Sequence, residues 1–339
     1  MNLKAEKFEC FKNHGLFSSI DRTESITRIA KASHSPRSPW EEAIESALHI
    51  QKIAEAPICL CLSGGVDSEA MLLAFLAAKV PLTAVICRYG PNSLNQEDIG
   101  RAESLCREHG VPIHWLDLDL EDFFLKQKKH IDFGIQFGCR SPQIAVHIEI
   151  ASQTPGVPIF AGQTLTLDLD LNGRIALQGL AEPQMALFRY FRIAGRKGVP
   201  FFLSYSPELI YSFWKTPAFH RHAQKVVDEQ KRTSQLENPR SLHPPYSFSR
   251  GLLTYEEKLS LYRDGGFQVQ GSDQKRTGFE KAKLHFRSYF ETNRMIAPWS
   301  GGLEPFDLFF RRPLEAMRPY PRRLIYQYEG GHAPSILDL

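Results

Sequence analysis

Pro57-Ile58-Cys59-Leu60-Cys61-Leu62-Ser63-Gly64-Gly65-Val66-Asp67-Ser68 is the stretch from which the rest of the chain is read. Residues 58–62 are a short continuous apolar run, the pattern of a strand buried on both faces. The run stops at Ser63-Gly64-Gly65. Beyond Ser68 the chain continues Glu-Ala-Met-Leu-Leu-Ala-Phe-Leu-Ala-Ala, built of strong helix formers. A strand, a two-glycine turn and a helix N-terminus form a phosphate-binding geometry. The glycines let a ligand approach the backbone, and N–H groups at the helix start point outward with the positive end of the dipole behind them. Asp67 adds a carboxylate beside that cradle. It would repel a phosphate unless a cation lay between them, so it implies Mg²⁺. No Gly-Lys-Ser/Thr follows at the spacing of a Walker loop.

Working outward, residues 82–87 are a second apolar, β-rich run that ends in a turn at 88–92. A helix is predicted over 95–109, with Ile99, Ala102, Leu105 and Cys106 at helical spacing and Gly110 at its stop. Residues 112–117 make a third strand. Upstream, Pro39 opens a helix predicted over 40–55, with Glu41 and Glu42 in its first turn. Downstream, 121–131 reads as an exposed helix whose Lys126, Lys128 and Lys129 form a solvated face. Ser141 and Pro142 then start a helix that Gly156 ends, and 157–161 is a fourth buried strand leading to Gly162. This alternation predicts an α/β fold, a doubly wound parallel sheet with right-handed crossovers and its ligand outside the carboxyl ends of the strands.

Beyond residue 180 the pattern turns helical. Helices are predicted over 182–194 and 206–214, and Thr254/Glu257 and Thr277/Glu280 read as the capping boxes of two more. The expected organisation is an N-terminal extension at 1–38, a nucleotide-binding α/β domain at 39–180, and a helical, basic substrate-side region at 181–339. The proline- and aromatic-rich tail at 298–339 is expected to wrap the surface.

The 339 residues are 42% hydrophobic and 23% charged, ordinary for a globular chain with ample core. No stretch is long enough to span a bilayer and the charged start lacks a signal-type apolar core, so a cytoplasmic address without a membrane partner is expected. None of the six cysteines forms a Cys-x-x-Cys pair, which speaks against a disulfide framework, a zinc site or an iron–sulfur cluster. The net charge of +3 hides an asymmetry. Residues 1–188 hold 17 Lys and Arg against 23 Asp and Glu, whereas 189–339 hold 24 against 15. The second half is therefore expected to face an anion: a triphosphate, an acidic substrate or RNA. His220-Arg221-His222 reads as surface, because histidines at i and i+2 point from different sides of a helix.

The loop at Ser63, Gly64, Gly65, Asp67 and Ser68, placed after a buried strand, resembles the Ser-Gly-Gly-x-Asp-Ser signature of the PP-loop ATP pyrophosphatases. Within that superfamily the chain resembles the C-terminal synthetase domain of asparagine synthetase and its helical continuation. The resemblance implies an adenine nucleotide alpha hydrolase-like (HUP) fold and cleavage of ATP between its α and β phosphates, with ATP and Mg²⁺ as cofactors. It places Ser63, Gly64, Gly65, Asp67 and Ser68 on the phosphates, with Asp67 both catalytic and a metal ligand. The chain after the second strand of such proteins meets the adenine largely through backbone groups, which points to Ile86, Cys87 and Arg88. Gly162 matches a glycine that helps hold pyrophosphate. Asp168 and Asp170 are the nearest carboxylates and Asp168 is the second metal candidate, although the family's Gly-Asp-Glu pattern is absent. Lys275, Arg276 and Arg140 are candidates for the basic group near the α-phosphate. Segments 192–200 and 275–280 look like substrate-side or pyrophosphate-side elements.

The implied activity is that of an AMP-forming ligase, in which a small-molecule carboxylate attacks the α-phosphorus and the acyl group of the adenylate passes to ammonia or another amine, with AMP as the leaving group. Met1-Asn2 supplies no N-terminal cysteine nucleophile, so free ammonia, a separate amidotransferase partner or a different amine is expected. Two alternatives stay open. One is a tRNA-modifying PP-loop enzyme, thiolase or lysidine-type, in which Cys139, before a helix start and beside Arg140, would carry sulfur. The other is a non-catalytic nucleotide-binding protein.

Overall fold

The computed structural model describes residues 16–19, 24–29, 32–90, 93–137, 139, 142–162, 166–169, 175–178, 181–236, 253–271, 278–292 and 323–328. First in the chain, β1 (Leu16–Ser19) pairs antiparallel with β2 (Glu24–Ile29), and β2 pairs in parallel with the last strand, β9 (Arg323–Tyr328). The tail thus meets the N-terminal extension through this strand; the rest of 298–339 lies outside the described residues.

The main sheet is built from β3 (Ile58–Cys61), β4 (Leu82–Gly90), β5 (Ile113–Asp119) and β6 (Val157–Phe160), all parallel, in the order β5-β4-β3-β6. Side chains alternate along each strand, so both faces must be apolar and both must be covered. Ile58, Leu60, Ala84 and Ile86 face one core. It is closed by α1 (Pro39–Ile53), α2 (Val66–Ala77) and α3 (Gln96–Glu108). Cys59, Cys61, Val85, Cys87, Leu116 and Leu118 face the other, beneath α4 (Lys129–Phe137), α5 (Pro142–Gln153) and α6 (Ala181–Ile193). The two strand cysteines do serve as small hydrophobes. Burial drives the Cys61 thiol above its ordinary range, which removes any thiolate chemistry there.

Chain order explains where a ligand belongs. From β3 the chain steps outward to β4 and β5, then returns to the other side of β3 as β6. The crevice where direction reverses lies between the carboxyl ends of β3 and β6, where such sheets bind ligands. Ser63 leaves β3 there and Gly162 follows β6. Val199 extends the sheet by one residue beyond β6, donating to Pro158 O at 2.9 Å and accepting from Phe160 N at 2.8 Å.

A hairpin, β7 (Thr166–Leu169) with β8 (Ile175–Gln178), follows Gly162. Beyond α6, the described chain forms α7 (Pro207–Trp214), α8 (Pro217–Leu236), α9 (Tyr255–Asp264), α10 (Gly278–His285) and α11 (Arg287–Thr292). The core does not stop at residue 180. Phe202, Tyr205, Trp214, Tyr262 and Phe267 are fully buried in the same cluster as the α2 side of the sheet, each such ring contributing roughly 2–3 kcal/mol of burial.

Several expectations require correction, among them the turn expected from residue 88, since β4 continues through Gly90. Residues 121–131 do not form one exposed helix: Asp122–Lys126 is a π-type turn, Phe123 and Phe124 are fully buried, and Lys128 adopts φ +54° before α4 begins. Adjacent phenylalanines need one shared apolar pocket, and the tighter winding delivers both into it. The basic segment 192–200 does not face the ligand edge either. Arg196 donates to Ser152 O (2.8 Å), Thr154 O (2.6 Å) and Gly156 O (3.0 Å), and Lys197 pairs with Glu55 at 2.6 Å. Those partners precede β6 and β3, so this cluster sits at the amino edge of the sheet and closes the orphan carbonyls behind α5.

The charge asymmetry has an internal use as well. Lys197, Lys258 and Lys281 of the basic half are paired with Glu55, Asp67 and Glu97 of the acidic half.

Candidate functional site

Gly64 turns the chain out of β3 with φ +72°, and an added Cβ would stand 2.3 Å from the Asp98 carbonyl oxygen in α3. The first glycine is therefore demanded twice, by handedness and by contact. Gly65 is the N-cap of α2 at φ −82°, ψ 162°, and no side chain caps the helix start. The first-turn N–H groups are thereby left to a ligand, with the helix dipole behind them. Ser68 is buried and donates from Oγ to Gly65 O at 2.8 Å, while Ser63 Oγ approaches Ser68 Oγ at 3.4 Å and receives Gly65 N at 3.4 Å. Buried Ser68 and exposed Ser63 brace the turn from its two sides.

Asp67 is engaged on both oxygens. Lys258 Nζ donates to Oδ2 at 2.8 Å and the Tyr262 hydroxyl donates to Oδ1 at 2.5 Å. Two residues along, buried Glu69 accepts Gln270 N at 2.6 Å and Gly271 N at 3.2 Å. Segment 258–271 is thus bolted to the first turn of α2 through both acidic side chains there. The capping box read from Thr254 and Glu257 is present and starts α9 in register for these contacts. Lys258, Tyr262 and Glu69 were not singled out in the sequence. Their partners lie some two hundred residues away, and a Lys/Tyr pair spaced i, i+4 carries no local signal beyond a shared helix face.

Glu257 makes the placement of α9 sensitive to acid. Burial opposes its charge, but the Thr254 N–H, Lys225 and His222 outweigh that and pull its pKa down to about 2 from 4.5. His222 is accordingly buried rather than on the surface, 3.5 Å from this carboxylate. A depressed carboxylate pKa stabilises the fold above the unfolded value and loses that contribution as pH falls through the folded one. The thermal midpoint of wild type should exceed that of Glu257→Gln above pH 4.5, and the gap should close as pH falls toward 2. A gap independent of pH would refute this.

At the end of β4 the ladder sorts the three residues expected to meet the adenine. Ala84 N donates to Pro112 O, so by alternation Ile86 and Arg88 spend their backbone groups on β5 while those of Cys87 face the motif strand. The last bond between β3 and β4 is Leu62 N to Val85 O, beyond which the strands part. Buried Asn95 then takes the Cys87 carbonyl (2.8 Å) and receives Tyr89 N (2.9 Å). Of the three residues, Cys87 is the one whose backbone N–H is turned toward β3, past the last bond between the two strands. The Arg88 side chain is turned away, with Nε and Nη2 on Asp117 at 2.6 and 2.7 Å and its guanidinium 4.9 Å above Trp115.

Gly162 has φ +74° and carries Phe201 against it, 2.4 Å from where a Cβ would lie, so packing alone accounts for its missing side chain. Asp168 lies in β7, paired opposite Ala176. Arg140, Asp170, Lys275 and Arg276 lie outside the described residues. Among the described residues no group of three or more His, Cys, Asp and Glu side chains is arranged to hold a metal ion. Asp67 still fits Mg²⁺ of the kind nucleotides bring, which takes one or two carboxylates and completes its shell with phosphate oxygens and water. No helix among the described residues is long and apolar enough to cross a membrane.

The asparagine synthase family profile matches residues 40–134. This part of the chain is similar to asparagine synthases. The matched span runs from α1 through the motif loop, β4, α3 and β5 into α4. The motif loop at residues 63–68 lies within that span. No curated protein matches the chain. Among solved structures, the NH3-dependent NAD synthetase from Campylobacter jejuni is 15% identical over 69% of this chain and 99% of its own, with a TM-score of 0.30. The NMN synthetase from Francisella tularensis is 14% identical over 78% and 99%, with a TM-score of 0.31. The assignment of the α/β fold rests on the strand order and crossovers given above.

Proposed function

We propose that the protein is an ATP-dependent, AMP-forming ligase that activates a small carboxylate for attack by ammonia or another amine. The observation that carries this reading is the uncapped start of α2 at the sheet's switch point, with Asp67 in the same helical turn. Free first-turn N–H groups and a dipole receive the outer phosphates, and Gly64 and Gly65 let them come close. Asp67 would hold Mg²⁺ carried by the nucleotide, which when bound supplies charge neutralisation at the phosphate oxygens. The Cys87 N–H offers a donor to the adenine ring. The substrate carboxylate oxygen then bonds to the α-phosphorus as the bond to pyrophosphate breaks. The amine adds to the acyl carbon, and AMP departs with the electron pair of the broken C–O bond.

Among the described residues Lys258 is a cation within reach of this loop, and we assign it the transition-state charge otherwise given to Lys275, Arg276 or Arg140. Lys275 and Arg276 stay as second candidates. Gly271, before their segment, is tied to Glu69, and Lys281, after it, pairs with Glu97 at the start of α3. Asp168 is kept as a proposed second metal ligand. A sulfur-transfer alternative gains nothing from the described cysteines: Cys59, Cys61, Cys87, Cys106 and Cys139 are all buried, and burial pushes the Cys87 thiol up to about 12.

The test is ATP–pyrophosphate exchange screened over amino acids, other small carboxylates and tRNA. Exchange that requires a carboxylate, with AMP released once an amine is supplied, is expected. ADP formation, or exchange that requires tRNA alone, would overturn the reading.

A further inference from the structure

Asp67 is expected to meet a divalent cation, yet in the free protein its two oxygens are held by an ammonium and a phenol from α9. The two partners differ in kind. Tyr262 is fully buried, its ring set edge-on against Phe267 (centroids 5.5 Å apart) and Phe213 (6.0 Å), so its hydroxyl is fixed by packing. Lys258 reaches Asp67 through a flexible four-carbon stem, and its side chain keeps 15% exposure. The segment that follows the helix carrying them has a second anchorage, Gln270 and Gly271 on Glu69, which does not involve the ammonium. The lysine can therefore leave Asp67 while α9 stays in place.

We propose that Lys258 is a built-in counter-ion: it closes Asp67 to a free divalent cation, so that the metal enters this loop only together with the triphosphate. This rests on the nucleotide reading of the loop given above. A single carboxylate cannot outbid an ammonium already in contact with it, and no group of three metal-binding side chains among the described residues helps it. A triphosphate changes the balance from both sides. Its oxygens complete the shell of the incoming metal, and its charge draws the ammonium off the carboxylate and onto the phosphates. Tyr262 is a positioning residue, which keeps the aspartate aimed through the exchange. The net result is one cation at Asp67 in either state, so the carboxylate is never left bare beside the phosphate cradle.

The probe is Mn²⁺, followed by electron paramagnetic resonance with the full-length protein, without nucleotide and with a non-hydrolysable ATP analogue. Wild type should take up Mn²⁺ at this loop only with the analogue. Lys258→Met should gain nucleotide-free Mn²⁺ binding at least tenfold tighter than wild type, Lys258→Arg should restore the wild-type behaviour, and Lys258→Met combined with Asp67→Asn should lose the gained site. The wild-type titrations alone decide the matter if the methionine variant does not fold. Nucleotide-free uptake by wild type as tight as uptake with the analogue, or a gained site that survives Asp67→Asn, overturns the counter-ion role alone. Failure of wild type to bind the analogue at all overturns the nucleotide reading and this inference with it.

Discussion

Asp67→Asn is expected to lower ATP–pyrophosphate exchange by at least about 100-fold, the scale on which a preorganised electrostatic contact at a reacting centre acts. Asparagine keeps an oxygen for the Tyr262 hydroxyl but cannot carry the charge that Lys258 meets in the free protein, or the charge an incoming cation requires. The fold should survive. Asp67→Ala is the less clean experiment, because it strands a half-buried ammonium and a buried phenol with neither oxygen, at a cost on the order of 1–3 kcal/mol. Exchange rates and thermal midpoints for both variants separate the two effects. Exchange that persists at the wild-type level in Asp67→Asn would refute the assigned role.

Gly64→Ala should be the most destabilising small change in the motif, while Gly65→Ala should be tolerated by the fold. Alanine at 64 must adopt a left-handed conformation, costing roughly 1–2 kcal/mol. It must also push its Cβ to 2.3 Å from the Asp98 carbonyl, a main-chain atom that yields only if α3 moves. Overpacking of that sort adds about 1–3 kcal/mol. At Gly65 the backbone is extended and the nearest atom to an added Cβ is Ser63 Oγ at 3.5 Å, an ordinary contact. Denaturant midpoints of the two variants should therefore differ clearly. Equal midpoints would show that the glycines serve ligand approach alone and that the contact between loop and α3 is incidental.

The strand, turn and helix of the motif were legible because each depends on near neighbours: an apolar run, a residue that tolerates positive φ, a series of helix formers. The same holds for α7 after Ser206-Pro207 and for α9 after its Thr254/Glu257 box, whose caps are closed within four residues. The parallel sheet followed from spacing, since a strand that continues into a helix must cross over right-handed to pair again. What a side chain meets across the fold left no such trace. Arg196 and Lys197 looked like groups awaiting an anion, yet they tie down carbonyls and a carboxylate at the opposite edge of the sheet. The Arg88 side chain, likewise, is folded flat onto the next strand by Asp117.

The sequence by itself determined the glycine turn at the start of α2 and its place in a doubly wound sheet, because hydrogen bonding and handedness within a dozen residues admit few other shapes. The tertiary structure alone decided who stands opposite Asp67. Lys258 and Tyr262 are separated from it by 191 and 195 positions, and the hydrophobic burial of Tyr262 with Phe213 and Phe267 brings that helix to the loop. Burial is non-directional and summed over many side chains, so no short stretch of sequence records which charge it will carry to which site.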